Sequence, residues 1–198
     1  LKSMIYVLNP LVVLELTGNL HFEGITFTFL IISFYLLIVN KYVLSAIFYS
    51  VAICLKLMPI LFLPLILYKI GVKKAVVFLT TIFLFCLLFF APFMEVNLLN
   101  TFFESIQLYF NTFEFNASVY YVFRWVGTFF TGYNQIGIIG SITPFITIIA
   151  MLLIIINSRS TMNGSSLMKK MSWILLIYFS VASIVHPWYV VYFIGFSV

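Results

Sequence analysis

Residues 75–93 read AVVFLTTIFLFCLLFFAPF, without one charged side chain. A stretch of that length and character crosses a bilayer as a helix. Its surroundings agree. Apolar residues make up 64% of the 198, charged residues 8%, and mean hydropathy is +1.21. A soluble domain carries about a quarter charged residues, so the composition defines an integral membrane protein of all-α class. Aromatic residues at 20% suit wide lipid-facing surfaces and interfacial belts. The net charge of +5 is no nucleic-acid signal, because the basic residues fall in short loops and mark the cytoplasmic side.

Upstream, Asn9-Pro10 predicts a helix start, with a capping side chain followed by proline at the first helical position. Residues 11–17 then form a short helix closed by Gly18, and 22–40 form the first full span. Residues 42–68 would fit one tilted span, but Lys56 would then lie near mid-membrane. Pro59 and Pro64 follow it closely. The favoured reading is a hairpin of two short segments, Tyr42–Leu55 and 59–68, with Lys56 at the tip. Lys41 and the Lys69, Lys73 and Lys74 cluster then share the cytoplasmic side.

Downstream of the 75–93 span, 94–135 is expected to be a non-cytoplasmic segment. It carries an amphipathic interfacial helix with Leu99, Phe102, Phe103, Ile106, Phe110 and Phe113 at helical spacing. Ile136–Ile156 returns inward. Arg159, Lys169 and Lys170 mark a cytoplasmic, Ser/Asn/Gly-rich linker, and 172–185 goes outward to a turn at His186-Pro187. About five to seven membrane segments result, some short or broken, within one transmembrane domain over 1–198.

Polar side chains are so scarce that their clustering is informative. Asn9, Glu15, Asn19, His21 and Glu23 lie within one short stretch, NPLVVLELTGNLHFE. Such groups beside a span mark a functional site. The two carboxylates and His21 suit sugar hydroxyls, a divalent cation, or general-base work. Lys56, in CLKLMP, needs an anionic partner, for which a lipid phosphate is a natural candidate. Arg124, in YYVFRWVG, suits bidentate phosphate contact. His186 is the part of HPWY that an aromatic belt leaves unexplained beside Trp188 and Tyr189. Cys54 and Cys86 read as small buried hydrophobes that nothing pairs. The sequon Asn116-Ala117-Ser118 is a short match of the kind that arises by chance.

These motifs together carry a resemblance. NPLVVLELTGNLHFEG, a following span, CLKLMPILFLPLIL and VHPWYVVYF resemble the middle of GT-C superfamily glycosyltransferases. The nearest groups are the bacterial polyprenyl-phosphate-mannose-dependent mannosyltransferases and the first mannosyltransferase of GPI-anchor assembly. The resemblance implies a polytopic enzyme that moves a hexose, mannose first, from a polyprenyl-phosphate carrier to a glycan or lipid acceptor. It implies work at the non-cytoplasmic face, in a bacterial plasma membrane before endoplasmic reticulum. The family's catalytic base is an Asp in its first large outer loop. This chain has no Asp and begins with Leu1, which fits a fragment lacking the first spans and inactive alone. The resemblance assigns Asn9, Glu15, Asn19, His21 and Glu23 to the family's polar motif. It places Lys56 near the carrier phosphate, and His186, Trp188 and Tyr189 in the late motif. The rivals are a lipid-linked-oligosaccharide flippase or other transporter, and an O-antigen polymerase or ligase.

Overall fold

A computed structural model describes residues 2–158 and 163–198, with only the backbone at Phe110. Arg159, the expected cytoplasmic marker, lies outside the described residues, as does the Phe110 side chain. Among the described residues the chain is helical, without strands beyond one isolated bridge. Two helices are long and apolar enough to cross a membrane: Val72–Phe93 (22 residues) and Ile136–Ile156 (21 residues). A third qualifies if Pro10–Gly18 and Glu23–Ile38, bent by 110° at their junction, count as one span.

The chain divides into two compact units. The first takes in Leu1–Phe93, Asn157–Ser172 and Pro187–Val198, and the second Met94–Ile156 and Trp173–His186.

In the first unit, α1 (Lys2–Val7) precedes α2 (Pro10–Val13), which begins as expected. The Asn9 Oδ1 accepts from Leu11 N at 3.0 Å and from Val12 N at 3.4 Å, satisfying two first-turn donors that have no acceptor within the helix. The helix then widens into a π turn, Leu14–Gly18. Gly18 is not the left-handed terminator that its type suggests. That conformation falls on Leu20, at φ 55°. Next come α3 (Glu23–Ile38) and α4 (Tyr42–Leu55). Neither is of full span length, and each presents small residues to the other. The Ser33 and Ser45 hydroxyls each donate to the other's carbonyl at 2.8 Å, fully buried. Such interhelical bonds suit lipid, where no water competes for the donors.

The 42–68 stretch breaks where the sequence places the break. Lys56 is extended (φ −161°, ψ 140°), and a 3-10 turn, Met58–Phe62, leads into α5 (Leu63–Ile70). The Tyr49 hydroxyl donates to the Pro59 carbonyl at 2.5 Å, folding that turn back along α4. Gly71, at φ 77°, makes the tight corner into α6 (Val72–Phe90). Against expectation, Cys54 and Cys86 do meet: their thiols lie 3.7 Å apart across α4 and α6, both free.

Phe196, on the helix Val190–Ser197, forms the hub of an aromatic core with Phe27, Phe34 and Phe62 at centroid distances of 5.3–6.0 Å. The neighbouring Gly195 backbone presses on the Phe27 ring, leaving no room for a Cβ. Gly195→Ala is therefore expected to overpack this core and destabilise the protein by about 1–3 kcal/mol, read as a lowered thermal midpoint in detergent. An unchanged midpoint would show that the ring and helix are not in contact.

In the second unit, α7 (Leu98–Thr112) is the expected amphipathic helix, with Leu99, Phe102 and Phe103 exposed. α8 (Val119–Thr131) follows and ends at Gly132, φ 77°. Tyr120 and Ala117 pack on Ile139 of α9 (Ile136–Ile156). The α9 boundaries are those the sequence gives to this span. The helix α10 (Gly164–Val181), whose residues up to Ser172 belong to the first unit and from Trp173 to the second, starts well before residue 172 and takes in Lys169 and Lys170 of the expected linker. The reason is a cap: Asn163 Oδ1 accepts from Ser166 N at 2.8 Å.

Candidate functional site

The polar residues of the first unit assemble around two breaks, the bend between the π turn and α3 and the kink at Lys56. The π turn buries the Glu15 carboxylate at 5% exposure. Glu15 accepts from Asn19 Nδ2 at 3.0 Å and lies 3.4 Å from His21 Nε2. The left-handed Leu20 brings His21 back over the turn, so that its amide donates to the Glu15 carbonyl at 3.1 Å. A carboxylate thus orients the imidazole. Its ring stacks on Trp188, with centroids 3.9 Å apart and planes 25° from parallel.

Glu23 opens α3, where the helix dipole favours a carboxylate, and is 2% exposed. Its Oε1 is in close ion contact with Lys56 Nζ. The same ammonium lies 4.1 Å from the centroid of the Tyr189 ring. Trp188 and Tyr189 follow one another in the 3-10 turn Pro187–Tyr189, their rings perpendicular. Trp188 faces the histidine and Tyr189 faces the lysine. Burial pulls the Lys56 ammonium down from its ordinary value to about 8. It is still cationic at neutral pH.

Seven of the ten residues singled out in the sequence therefore converge: Glu15, Asn19, His21, Glu23, Lys56, Trp188 and Tyr189. The side-chain bonds of Asn9 are both made by Oδ1 in capping α2, and neither reaches these seven residues. Within the chain, the anion paired with Lys56 is Glu23. Among the described residues no three His, Cys, Asp or Glu side chains gather to hold a metal.

Arg124 and His186 belong to the second unit. Arg124 Nη1 donates to Glu114 Oε2 at 2.7 Å, while Glu114 Oε1 accepts from Tyr120 Oη at 2.6 Å and Asn134 Nδ2 at 2.7 Å. Burial first, then that hydrogen bond, raises the Tyr120 phenol well above its usual value and keeps it a donor. Glu114 escapes sequence reasoning because a single glutamate in FNTFEFNAS has no spacing to read. His186 packs against Phe115, ring centroids 4.9 Å apart and planes tilted by 31°. Backbone bonds hold that contact, Phe115 N to the Ser183 carbonyl and Val185 N to the Phe115 carbonyl, each 2.9 Å.

Comparison with protein-family models, curated proteins and solved structures found no match to this chain.

Proposed function

We propose a GT-C-like membrane glycosyltransferase, with about five to seven membrane segments, that takes a hexose from a polyprenyl-phosphate carrier at the non-cytoplasmic face. One observation carries the reading. A lysine, its counter-carboxylate, a carboxylate-oriented histidine and two aromatic faces meet at a pair of helix breaks. In the implied displacement, the acceptor oxygen bonds to the anomeric carbon as the bond from that carbon to the phosphate oxygen breaks. Charge accumulates on the leaving phosphate, and a fixed ammonium there is stronger in the transition state than in the ground state. Lys56 supplies it, with Glu23 as counter-ion until the donor arrives. The stacked His21 and Trp188 offer an apolar face and a hydrogen-bonding edge for a sugar ring. The acceptor base that the GT-C resemblance implies is an Asp, a residue type this chain does not contain.

The test is transfer from labelled polyprenyl-phosphate mannose by the intact gene product in proteoliposomes. Label in a lipid or glycan acceptor supports the reading. No transfer of mannose or glucose, with movement of lipid-linked sugar across the vesicle, replaces it with the transporter reading. The discontinuous helices around a charged pair favour that second reading.

A pH profile follows from Lys56. Its ammonium is charged below about 8 and neutral above it. The ratio kcat/KM for the donor is expected to hold on the acid side of 8 and fall on the alkaline side. Lys56→Arg, which does not titrate there, should flatten that limb. An alkaline limb unchanged in Lys56→Arg would assign it to another group.

A further inference from the structure

Away from that site, a cleft of about 540 Å³ opens where α4 and α6 begin. Lys41, Lys73 and Lys74 line it with Asn40, Tyr42 and Val77, and no carboxylate is among its lining residues. All three lysines are exposed, and among the described residues none is paired with an acid.

The helix ends add to this charge. Both helices start here without an acidic residue in the first turn and without a capping side chain. Their uncapped first-turn amides carry the positive end of the macrodipole, where lysine is the disfavoured charge. Three ammonium groups and two helix starts of one sign therefore share one concavity, an arrangement that an anion relieves.

The cleft is also organised. Asn40 adopts the left-handed conformation (φ 61°), and its side-chain oxygen accepts from the Tyr42 hydroxyl. That hydroxyl in turn accepts from Lys74 Nζ at 2.8 Å. Lys74 is thus fixed at the cleft with two of its three donors left over, and Lys41 and Lys73 bring three each.

We propose that this cleft is a phosphate-binding site, filled by either an anionic lipid headgroup or a soluble phosphate compound. Its place on the side the lysines mark as cytoplasmic separates it from the glycosyl-transfer reading, on which it does not depend.

The test titrates the protein, purified in neutral detergent, with dihexanoyl phosphatidic acid and separately with inorganic pyrophosphate, following the thermal midpoint. A saturable rise is expected with at least one. A rise with the lipid alone identifies a headgroup, with pyrophosphate alone a soluble ligand, and with both a site that reads phosphate itself. Loss of about one favourable contact per lysine predicts half-saturation shifted about fivefold in Lys73→Gln and about a hundredfold in Lys41→Gln/Lys73→Gln/Lys74→Gln. The triple arginine variant should stay near wild type. Lys73 makes no hydrogen bond to the Tyr42 and Asn40 relay, so its single variant remains informative if the triple variant does not fold. The proposal is overturned if neither probe gives a saturable shift, or if Lys73→Gln responds as wild type does.

Discussion

Lys56→Ala is expected to lower sugar transfer by about a hundredfold to a thousandfold, the scale seen when one fixed donor is removed from a developing anion. The effect should fall on kcat as well as KM, because the ammonium acts most strongly on charge that appears as the carrier phosphate departs. Lys56→Arg keeps the charge but not the point-like ammonium seated between Glu23 and Tyr189, and should recover only part of the rate. A raised KM with unchanged kcat in Lys56→Ala would demote the residue to ground-state binding. Full activity would remove it from the site.

The second large effect concerns stability and needs no substrate. Glu23 is nearly enclosed, at 3% side-chain exposure, and its partner Lys56 stands at 27%. Glu23→Gln leaves Lys56 half-buried with no counter-charge, and is expected to cost about 2 kcal/mol of unfolding free energy in a detergent titration, less than for a fully buried pair. Lys56 limits the loss by releasing its proton. Replacing both members with apolar side chains of similar volume, Glu23→Leu with Lys56→Met, should recover most of that loss. A double variant that is worse than the sum of the two single ones would contradict the pairing.

Much of the fold is legible because it is written in periods and breakers. The 75–93 and Ile136–Ile156 spans need only an apolar run, and the start of α2 needs only Asn9 and Pro10. The break at Lys56 follows from prolines close behind it. What escapes is decided by single side chains. Ser, Asn and Gly at 163–166 read as a linker, yet Asn163 uses its short polar arm to launch α10. The site itself is half legible. Scarcity draws attention to Glu15, His21, Glu23 and Lys56, whereas their pairing depends on a π turn and a 110° bend that leave no periodic trace. Glu114 and the meeting of Cys54 with Cys86 are long-range results of packing, and nothing local announces them.

The mutual hydrogen bonds of Ser33 and Ser45 have a bearing on biogenesis. With 16 and 14 residues, α3 and α4 are each too short to make a stable crossing alone, at about 1.5 Å per residue. Each also carries a hydroxyl that hydrocarbon would penalise unless the other helix receives it. The pair is thus suited to leave the translocon together, as a preformed wedge. A force profile along the nascent chain should record one pull for both helices. Two separate pulls would mean that the serines find each other only later, within the bilayer.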